Sequence, residues 1–517
     1  MNSPIRSADS SLGPTTTPET TATPERVRDT RTDNPFPPNP ETVSGDSRID
    51  MTEGKIAPKL LSLSWPLVAG NLLQTLYNLA DVFWVGRVGA DAVAAVSLMF
   101  PTSWMFVSTA MGITAATIAL VSQHVGAGDD READRVVGQT VLLTLAVSVV
   151  LAVGGFALRY PLLELIGAEG AVFTEALAYI EVVFLALPLT FLFFAFRAAL
   201  QGAGDTKTAM WLMVASAGLN VVLDPILILG WGPIAGMGTR GAAIATLIAR
   251  LFATAAGVYI LLRGDWGVRL RLADLRPDPE RLRKLVDIGY PATLDGWARS
   301  FSAVVMAAFV ARFGPTPTAA YGIGVRLMSV SWTVSGAVGQ ATATGVGQNL
   351  GARTPDRAAS VTWTAMAGTM GLLFAAAALV VAFPAEAMRL FIGEQAVVDE
   401  GVTFLRIVAP SWAFFGGVMV IQGAFRGAGV TKAAMALSFL SRWIFRVPVA
   451  LAVAFTWTVS VPVVGSVSGL AWGVEGLWWA YVIGAVASFA VAVAWFRLGT
   501  WREGVLDRGA TPSAGDD

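Results

Sequence analysis

From about residue 57 onward, long apolar segments alternate with short polar loops. Each segment has about 20 or more residues, the length that a helix needs to cross the hydrocarbon core of a bilayer. The segments lack the polar–apolar alternation of membrane barrel strands, so the pattern predicts helices. Twelve helices are predicted, at residues 57–84, 92–122, 136–158, 171–200, 207–230, 240–262, 283–311, 317–347, 358–382, 396–425, 432–457 and 474–497.

The first 50 residues differ from the rest of the chain in composition. Residues 1–50 hold eight Pro, nine Thr and six Ser without any apolar run. Such a segment cannot bury enough apolar surface to fold, so we predict a disordered polar tail that is not a secretory signal. The predicted organisation is this tail at 1–50, a first lobe at 51–262, a cytoplasmic inter-lobe loop at 263–282, a second lobe at 283–499 and a C-terminal tail at 500–517.

Basic residues are distributed unevenly among the eleven predicted loops. The even-numbered loops carry fourteen Lys and Arg residues, whereas the odd-numbered loops carry five. Because short basic loops stay on the cytoplasmic side, we expect the even loops to be cytoplasmic. An even number of helices then places both chain ends in the cytoplasm, with the protein in the cell membrane.

The two predicted lobes are repeats of each other. A shift of 225 residues places Pro66 on Pro291 and the segment GAGDTKTAM at 202–210 on GAGVTKAAM at 427–435, with seven of nine residues identical. Each half has six helices, so both halves start on the same side of the membrane and are related by an axis along its normal. This arrangement places a substrate cavity between the lobes, as in a transporter.

Composition excludes several other classes of protein. Hydrophobic residues make up 54% and charged residues 14% of the chain, against about 25% charged in an ordinary soluble domain. Lys and Arg number 36 and Asp and Glu 37, so no excess of positive charge indicates a nucleic-acid partner. The chain has no Cys and a single His, His124. We therefore expect no enzyme, no cofactor and no Cys- or His-rich metal centre.

Polar and ionisable side chains inside the predicted helices are the candidates for chemistry. A charge at a helix centre costs roughly 2.5–3.5 kcal/mol on insertion scales, so it is usually paired, protonated or facing a cavity. In helix one, the spacing predicts a polar stripe on one face, with Tyr77 beside it, made of Asn71, Gln74, Asn78 and Asp81.

Helices five and six supply further oxygen ligands. Asn220 and Asp224 share one face of helix five, and Thr246 lies on helix six. Counted from the nominal outer helix ends, Asp81, Asp224 and Thr246 lie at a common depth of roughly 8–9 Å. Such a set suits protons or a hard cation such as Na⁺. The repeat places Asp81 on Met306, so we expect ion coupling in the first lobe alone.

The second lobe has polar residues of its own. Asp295 and Arg299 are four residues apart on helix seven, a spacing that favours an ion pair within the helix. A cavity-lining role for Asp295 is the alternative. Glu181 and Arg406 occupy equivalent positions of the two repeats, and we expect them to pair between the lobes near the outer side.

Five segments together resemble the multidrug and toxin extrusion (MATE) family, and specifically its prokaryotic DinF-like branch. The resemblance covers about residues 56–500. The segments are YNLADVFWVGRVG at 77–89, LQGAGDTKTAM at 200–210, NVVLDP at 220–225, GTRGAAIAT at 238–246 and GVEGLWWA at 473–480.

The resemblance implies an all-α membrane protein with twelve helices in two pseudo-symmetric six-helix lobes. It also implies an H⁺ or Na⁺ site in the first lobe, formed by the matching residues Asp81, Asn220, Asp224 and Thr246. Residues matching positions near the first-lobe pocket are Gln74, Tyr77 and Asn78.

Two further residues are candidates for roles outside the ion site. Pro66 matches a helix-one proline at which bending has been proposed, and Asp295 lies on the helix that carries a functional carboxylate in the NorM-type branch. We retain Asp295 as a second pocket candidate.

By this resemblance the protein is expected to export organic, often cationic, drug-like compounds in exchange for H⁺ or Na⁺. We expect alternating access and a monomer. The alternative is a lipid-linked oligosaccharide flippase of the same superfamily. Flippases of that kind tend to carry extra helices and a basic central cavity, whereas this chain has twelve predicted spans and an acidic first-lobe site.

Overall fold

The structure, a computed structural model, describes residues 48–456, 458–461 and 465–508. In this part of the chain twelve long helices follow one another, which confirms the predicted fold. We number them α1 to α12, with bounds Ile56–Val85, Ala90–Gly126, Asp130–Ala157, Gly170–Gly202, Thr206–Ile228, Gly238–Arg263, Pro279–Ala311, Pro315–Gly351, Pro355–Ala382, Gln395–Gly427, Thr431–Ala454 and Val474–Arg497. The predicted tail lies outside the described residues except for 48–50, and so does the C-terminal tail beyond residue 508.

Eleven of these helices are long and apolar enough to cross a membrane. The exception is α8, which has 37 residues, the same number as α2. Its sequence is rich in Gly, Ser and Thr, which lowers its hydropathy. Most of these small residues are buried where α8 packs against α1, α2, α9 and α10. Small side chains allow helices to approach closely inside a membrane, so the composition of α8 reflects packing at the centre of the molecule.

The bounds of the helices repeat along the chain as the sequence does. The pairs α2 and α8, α3 and α9, and α4 and α10 begin and end 225 residues apart. Short helices at Arg159–Leu165 and Pro384–Arg389 precede α4 and α10; neither was predicted. Two helices contain irregular turns that the sequence pattern did not predict. A 3₁₀ turn, Ala409–Ser411, lies inside α10, and a π-helical segment, Leu440–Arg446, lies inside α11.

A two-stranded antiparallel hairpin precedes the last helix of each lobe. In the first lobe β1, Gly230–Trp231, pairs with β2, Ile234–Ala235. In the second lobe β3, Thr458–Val461, pairs with β4, Gly465–Ser468. The second hairpin is longer, so α12 begins 236 residues after α6 rather than 225. Neither hairpin was predicted; the expected helix five ended at 230, inside the first hairpin, and the expected helix eleven ended at 457, directly before the second.

The repeated GAG segment makes the tight turn between α4 and α5. Gly204 has φ +92°, a left-handed conformation that favours glycine. The N–H of Asp205 then donates to the carbonyl of Leu200 at 2.9 Å. The carboxylate of Asp205 accepts from the N–H of Thr208 at 3.0 Å and caps α5. This segment is therefore a turn and a helix cap.

The first two helices of the first lobe pack on helices of both lobes. In the first lobe α1 packs on α5 and α2 packs on α4, but α1 also packs on α8 and α2 on α7. At its start α1 buries Leu63 and Leu67 together with Ala337 and Ala341 of α8. At its end α1 buries Val85 against residues of α2, α5 and α6 in its own lobe. Contact of α1 with the opposite lobe is therefore made by its first half.

The two lobes meet most closely where α2 and α8 end. Glycines at equivalent positions, Gly126 and Gly351, lie against the main chain of Gln348 and Gln123 respectively. The side chain of Gln123 donates to the carbonyl of Gly427 at 2.9 Å, so it bonds the main chain of the second lobe. We call this meeting point the inner contact.

Segments that flank the helical region also join the inner contact. The Oε1 atom of Gln348 accepts from the N–H of Met51 at 2.9 Å. The Oε1 atom of Gln123 accepts from the N–H of Val505 at 2.7 Å. The chain before α1 and the chain after α12 are thus fixed to the same end of the molecule. This is the end at which the loops predicted to be cytoplasmic lie.

The linker between α6 and α7 is held to the first lobe by ion pairs. Arg131 binds Asp274 through two nitrogens, each 2.5 Å from a carboxylate oxygen. Hydrogen bonding to Arg131 lowers the pKa of Asp274, which lies in the loop outside the helices. Asp134 accepts from the N–H of Arg269 at 2.6 Å and from Nε of Arg271 at 3.0 Å. The linker is therefore packed against the start of α3.

Candidate functional site

The first lobe contains two carboxylates that have no arginine partner among the described residues. Asp81 lies near the end of α1, and Asp224 lies near the end of α5, directly before Pro225. Asp224 is fully buried, and one oxygen of Asp81 is buried. The two residues lie within electrostatic range of each other.

Asn220 and Thr246 lie one helical turn deeper than the carboxylates. Nδ2 of Asn220 donates to Oγ1 of Thr246 at 3.3 Å, which joins α5 to α6. Asn220 lies eight residues before the end of α5 at Ile228, and Thr246 lies eight residues after the start of α6 at Gly238. Asp81 and Asp224 lie only four residues from their helix ends. The common depth expected for Asp81, Asp224 and Thr246 is therefore wrong, because α5 ends earlier and α6 begins earlier than the apolar runs suggested.

Several buried oxygens of this cluster have no hydrogen-bond donor within the described part of the chain. These atoms are Oδ1 of Asp81, Oδ1 of Asn220 and both carboxylate oxygens of Asp224. Buried polar atoms are nearly always hydrogen-bonded in native proteins, to protein or to ordered water, so four acceptors in one cluster suit a bound cation, a proton or water. We call Asp81, Asn220, Asp224 and Thr246 the oxygen cluster.

The oxygen cluster supplies donors of the kind that Na⁺ takes, namely carboxylate, amide and hydroxyl oxygens. No group of three His, Cys, Asp or Glu residues with metal-binding spacing occurs among the described residues. The donor set thus fits a proton or a monovalent hard cation better than a transition metal.

Tyrosines lie next to the oxygen cluster. Tyr77 of α1 lies beside Thr246 and within electrostatic range of both carboxylates. Tyr179 of α4 also lies within range of Asp81 and Asp224. Tyr179 was not among the predicted residues. The spacing of residues within one helix does not show which residues of other helices lie near them.

The predicted stripe on α1 continues away from the oxygen cluster. Nε2 of Gln74 donates to Oδ1 of Asn78 at 2.9 Å, one turn apart. Asn78 is exposed, whereas Gln74 and Tyr77 are partly buried. Gln74 and Tyr77 therefore face the interior of the lobe, and Asn78 lies at the edge of that face.

Arg250, like Tyr179, was not predicted from the sequence. It lies on α6, one turn after Thr246, and its side chain is buried. Its nitrogens donate to Oε1 of Gln74 at 3.5 Å and to Oγ of Ser216 at 3.4 Å. A single crevice is lined by Tyr77, Asn220, Thr246 and Arg250. The spacing from Thr246 to Arg250 was the signal that could have found it.

The guanidinium group of Arg250 makes a cation–π contact with an aromatic ring. Its guanidinium lies 4.4 Å from the ring centroid of Phe193, and that of Arg197 lies 5.6 Å from the same ring. Such cation–π contacts stabilise a cation that is removed from water. The first lobe therefore separates two arginines from two carboxylates, and none of these four forms an ion pair within the described residues.

Asp295 lies in the second lobe and belongs to an ion-pair network. It is 2% exposed, and it binds Arg299 on its own helix and Arg426 of α10 at 3.2 Å. The ion pair within α7 that the spacing favoured is therefore present. Asp295 does not join the oxygen cluster, which is built from helices of the other lobe.

Glu181 and Arg406 do not pair as expected. Glu181 instead binds Arg159 of the short helix before α4, with 2.9 Å between Nε and Oε1. Arg159 is closer because this short helix, which was not predicted, turns the chain back onto α4.

The fold and the first-lobe site define a class of protein: a helical membrane transporter built from two related six-helix lobes. The family model described as MatE matches residues 66–226 and 291–452. These two stretches begin 225 residues apart, at Pro66 and Pro291. The chain therefore belongs to the MATE family, as the resemblance of its motifs predicted.

Similar proteins support this assignment. The probable multidrug resistance protein YoeA of Bacillus subtilis is 31% identical over 74% of this chain and 84% of its own length. The FAD transporter of Shewanella oneidensis is 30% identical over 60% of this chain and 69% of its own. A solved structure described as the outward-facing conformation of a multidrug resistance MATE family transporter covers 87% of this chain and 97% of its own, with 25% identity and a TM-score of 0.78. These family members are transporters rather than enzymes.

Proposed function

We propose that the protein is a secondary active exporter of small drug-like compounds, driven by H⁺ or Na⁺ through alternating access. The observation that carries this proposal is the pair of buried carboxylates, Asp81 and Asp224, without an arginine partner among the described residues. Burying two charges costs several kcal/mol unless they are neutralised. A coupling ion supplies that neutralisation in one state of the transport cycle.

The inner contact supports an outward-facing state. Contacts between lobes involve the first half of α1, the ends of α2 and α8, and the packing of α2 on α7, which extends to Met105 and Trp297 near the middle of these helices. Val85 at the far end of α1 packs within its own lobe. The lobes thus join from the end with the basic loops to about the middle of α2 and α7. The charge rule favours a cytoplasmic location for that end, so we infer that both chain termini lie inside the cell and that the cavity between the lobes opens outside.

The ion and the substrate then oppose each other because each favours a different conformation of the lobes. An ion entering from outside neutralises Asp81 and Asp224, and α1 bends at Pro66 and repacks against α5 and α6. The substrate leaves the cavity between the lobes as its binding surface changes. The ion and the substrate need not touch, because each shifts the same equilibrium between two states of the lobes. We expect a monomer to complete this cycle.

Reconstituted vesicles test the proposal with H⁺ and Na⁺ gradients imposed separately. Transport of the fluorescent dyes rhodamine 110 and rhodamine 123 is followed for the wild type, Asp81→Asn and Asp224→Asn. We expect the gradient-driven transport rate of each variant to be at least about tenfold lower than that of the wild type. Asp91→Asn is the matched control, because Asp91 is an exposed carboxylate in the first turn of α2. Full gradient-driven transport in both Asp81→Asn and Asp224→Asn would refute the proposal.

A further inference from the structure

The second lobe repeats the helices that hold the oxygen cluster, but its interior has the opposite charge. Helices α7, α10, α11 and α12 correspond to α1, α4, α5 and α6, and they pack together. The position of Asp81 is taken by Met306 and that of Asp224 by Val449. Charged side chains reach this interior from other positions of the same helices.

Three arginines lie near a single carboxylate in this interior, and a fourth lies near one of the three. Asp295 is bound by Arg299 and Arg426, and Arg442 lies within electrostatic range of it. Arg446 lies within range of Arg442. We call these four arginines and Asp295 the arginine pocket.

A π-helical segment presents two of the four arginines. Arg442 and Arg446 both belong to Leu440–Arg446, the segment in which α11 departs from α-helical geometry. Single π-helical turns inside α-helices occur frequently at functional sites. Arg442 donates to Oγ of Ser438 at 2.5 Å. The guanidinium of Arg446 lies 4.2 Å from the ring centroid of Tyr481, and its buried Nε has no acceptor among the described atoms.

The charges of the arginine pocket do not balance. Three guanidinium groups lie near one carboxylate, which leaves two positive charges without a counterpart, and the guanidinium of Arg446 beside Arg442 adds a third. Glu400, an acid on α10, accepts from Nε1 of Trp478 at 3.1 Å. An uncompensated positive charge in a membrane interior is costly. A bound anion would remove much of that cost.

Three of the four arginines are also partly exposed, and the buried Arg446 lies beside one of them. The side chains of Arg299 and Arg426 are 27% and 21% exposed, and Arg442 is half-buried. A guanidinium presents a planar set of donors that matches the oxygens of a carboxylate or a phosphate. A cation entering this pocket would instead meet like charge.

We propose that the arginine pocket binds an anionic oxygen group, a carboxylate or a phosphate, of the transported compound. The substrate is then an anion or a zwitterion rather than a simple organic cation. This inference rests on the proposed function, because it assigns the transported compound to the second lobe while the coupling ion binds in the first.

Equilibrium binding to the full-length protein in lipid nanodiscs tests this inference without any ion gradient. Rhodamine 110 carries a free carboxylate, and rhodamine 123 is its methyl ester, so the pair differs only in the anionic group. We expect the wild type to bind rhodamine 110 more tightly. Arg442→Gln and Arg446→Gln should each raise the Kd for rhodamine 110 about tenfold, since a charged hydrogen bond is lost. The Kd for rhodamine 123 should change by less than about twofold.

Matched variants separate the pocket from general effects of charge. Lys432→Gln removes one positive charge from the first turn of the same helix, where Lys432 lies 5.9 Å from the ring of Tyr290, and it should leave both dyes unchanged. Arg442→Lys keeps the charge and should recover part of the rhodamine 110 affinity. Equal losses for both dyes, or the same loss in Lys432→Gln, would overturn the inference.

A second pair of compounds distinguishes the two anionic groups. Riboflavin 5′-phosphate and riboflavin differ in the phosphate alone, and both are fluorescent. Preference for the anionic member of either pair, lost in Arg442→Gln, supports the inference and identifies the group. A wild type that prefers neither anionic member overturns it. Because binding is measured without a gradient, this outcome is independent of the loss of ion-driven transport that would refute the exporter.

Discussion

The carbonyl oxygen of Gln348 lies 1.9 Å from the place that a Cβ atom on Gly126 would occupy. The equivalent pair, Gly351 and the carbonyl of Gln123, shows the same distance of 1.9 Å. Neither α2 nor α8 can carry a side chain at these points while the inner contact is closed. These two glycines are therefore needed because they let the lobes approach closely at the inner contact, and not because the chain makes a turn there.

Gly126→Ala is expected to open the inner contact. The added methyl group meets main-chain atoms that cannot move aside, and such overpacking costs about 1–3 kcal/mol. Spin labels at Asp130→Cys and Asp356→Cys, both exposed positions, should show a longer distance as the major population. The chain has no native Cys, so no background substitution is needed. An unchanged distance distribution in Gly126→Ala would contradict a closed contact at this point.

Pro66→Ala is expected to slow transport while preserving binding. Pro66 lies inside α1, which is one continuous helix here, and proline removes a hydrogen bond from the helix interior. Alanine restores that bond and stabilises a straight α1 by about 3 kcal/mol, so the bend becomes harder. Gradient-driven transport in vesicles should fall at least about tenfold. Pro291→Ala, the equivalent change in α7, should stay within about twofold of the wild type; equal effects at both prolines would argue against a bend specific to α1.

Asp295→Asn is expected to destabilise the second lobe. The change leaves Arg299 and Arg426 without the carboxylate that they share. Breaking a buried ion pair costs about 3 kcal/mol or more, and the partial exposure of both arginines favours the lower end. The fraction of protein that stays monodisperse after heating measures this loss. Asp399→Asn, an exposed carboxylate on α10, is the control, and equal thermostability of both variants would show that Asp295 is not a structural anchor.

The linker ion pair predicts a pH dependence of stability. The pKa of Asp274 is lowered by its bond to Arg131, so the pair stabilises the folded state above the ordinary carboxyl pKa of 3.8. That contribution is lost as the pH falls through the lowered pKa. The difference in thermostability between the wild type and Asp274→Asn should be constant above about pH 5 and shrink in more acidic solution. A difference that grows with acidity would contradict this sign.

Much of the fold could be predicted because the apolar runs are long. The predicted segment 396–425 became Gln395–Gly427, and 92–122 became Ala90–Gly126. Helix ends were less accurate where the chain turns into a hairpin, as after Ile228. A run of apolar residues contains no signal for the backbone pairing that ends a helix there.

The first-lobe site was predicted only in part. Spacing within one helix joined Asn220 to Asp224, the polar stripe of helix one gave Asp81, and the comparison of depths added Thr246; the family motifs matched the same four residues. Arg250 was missed although it lies one turn after Thr246 on the same helix. Contacts between helices distant in the chain were not predictable, so Tyr179 was missed. The same limit applies to the second lobe. Arg426 reaches Asp295 from 131 residues away, and no periodicity relates the two.

The central claim is that Asp81 and Asp224 hold the coupling ion and thereby control substrate binding. The most direct measurement is the Kd of rhodamine 110 for purified protein in nanodiscs, as a function of pH at fixed Na⁺ and of Na⁺ at fixed pH. Coupling is reciprocal, so the coupling ion should weaken substrate binding to the wild type at least about fivefold. The double variant Asp81→Asn, Asp224→Asn should bind with a Kd that neither ion changes. An ion dependence in the double variant equal to that of the wild type would contradict the account.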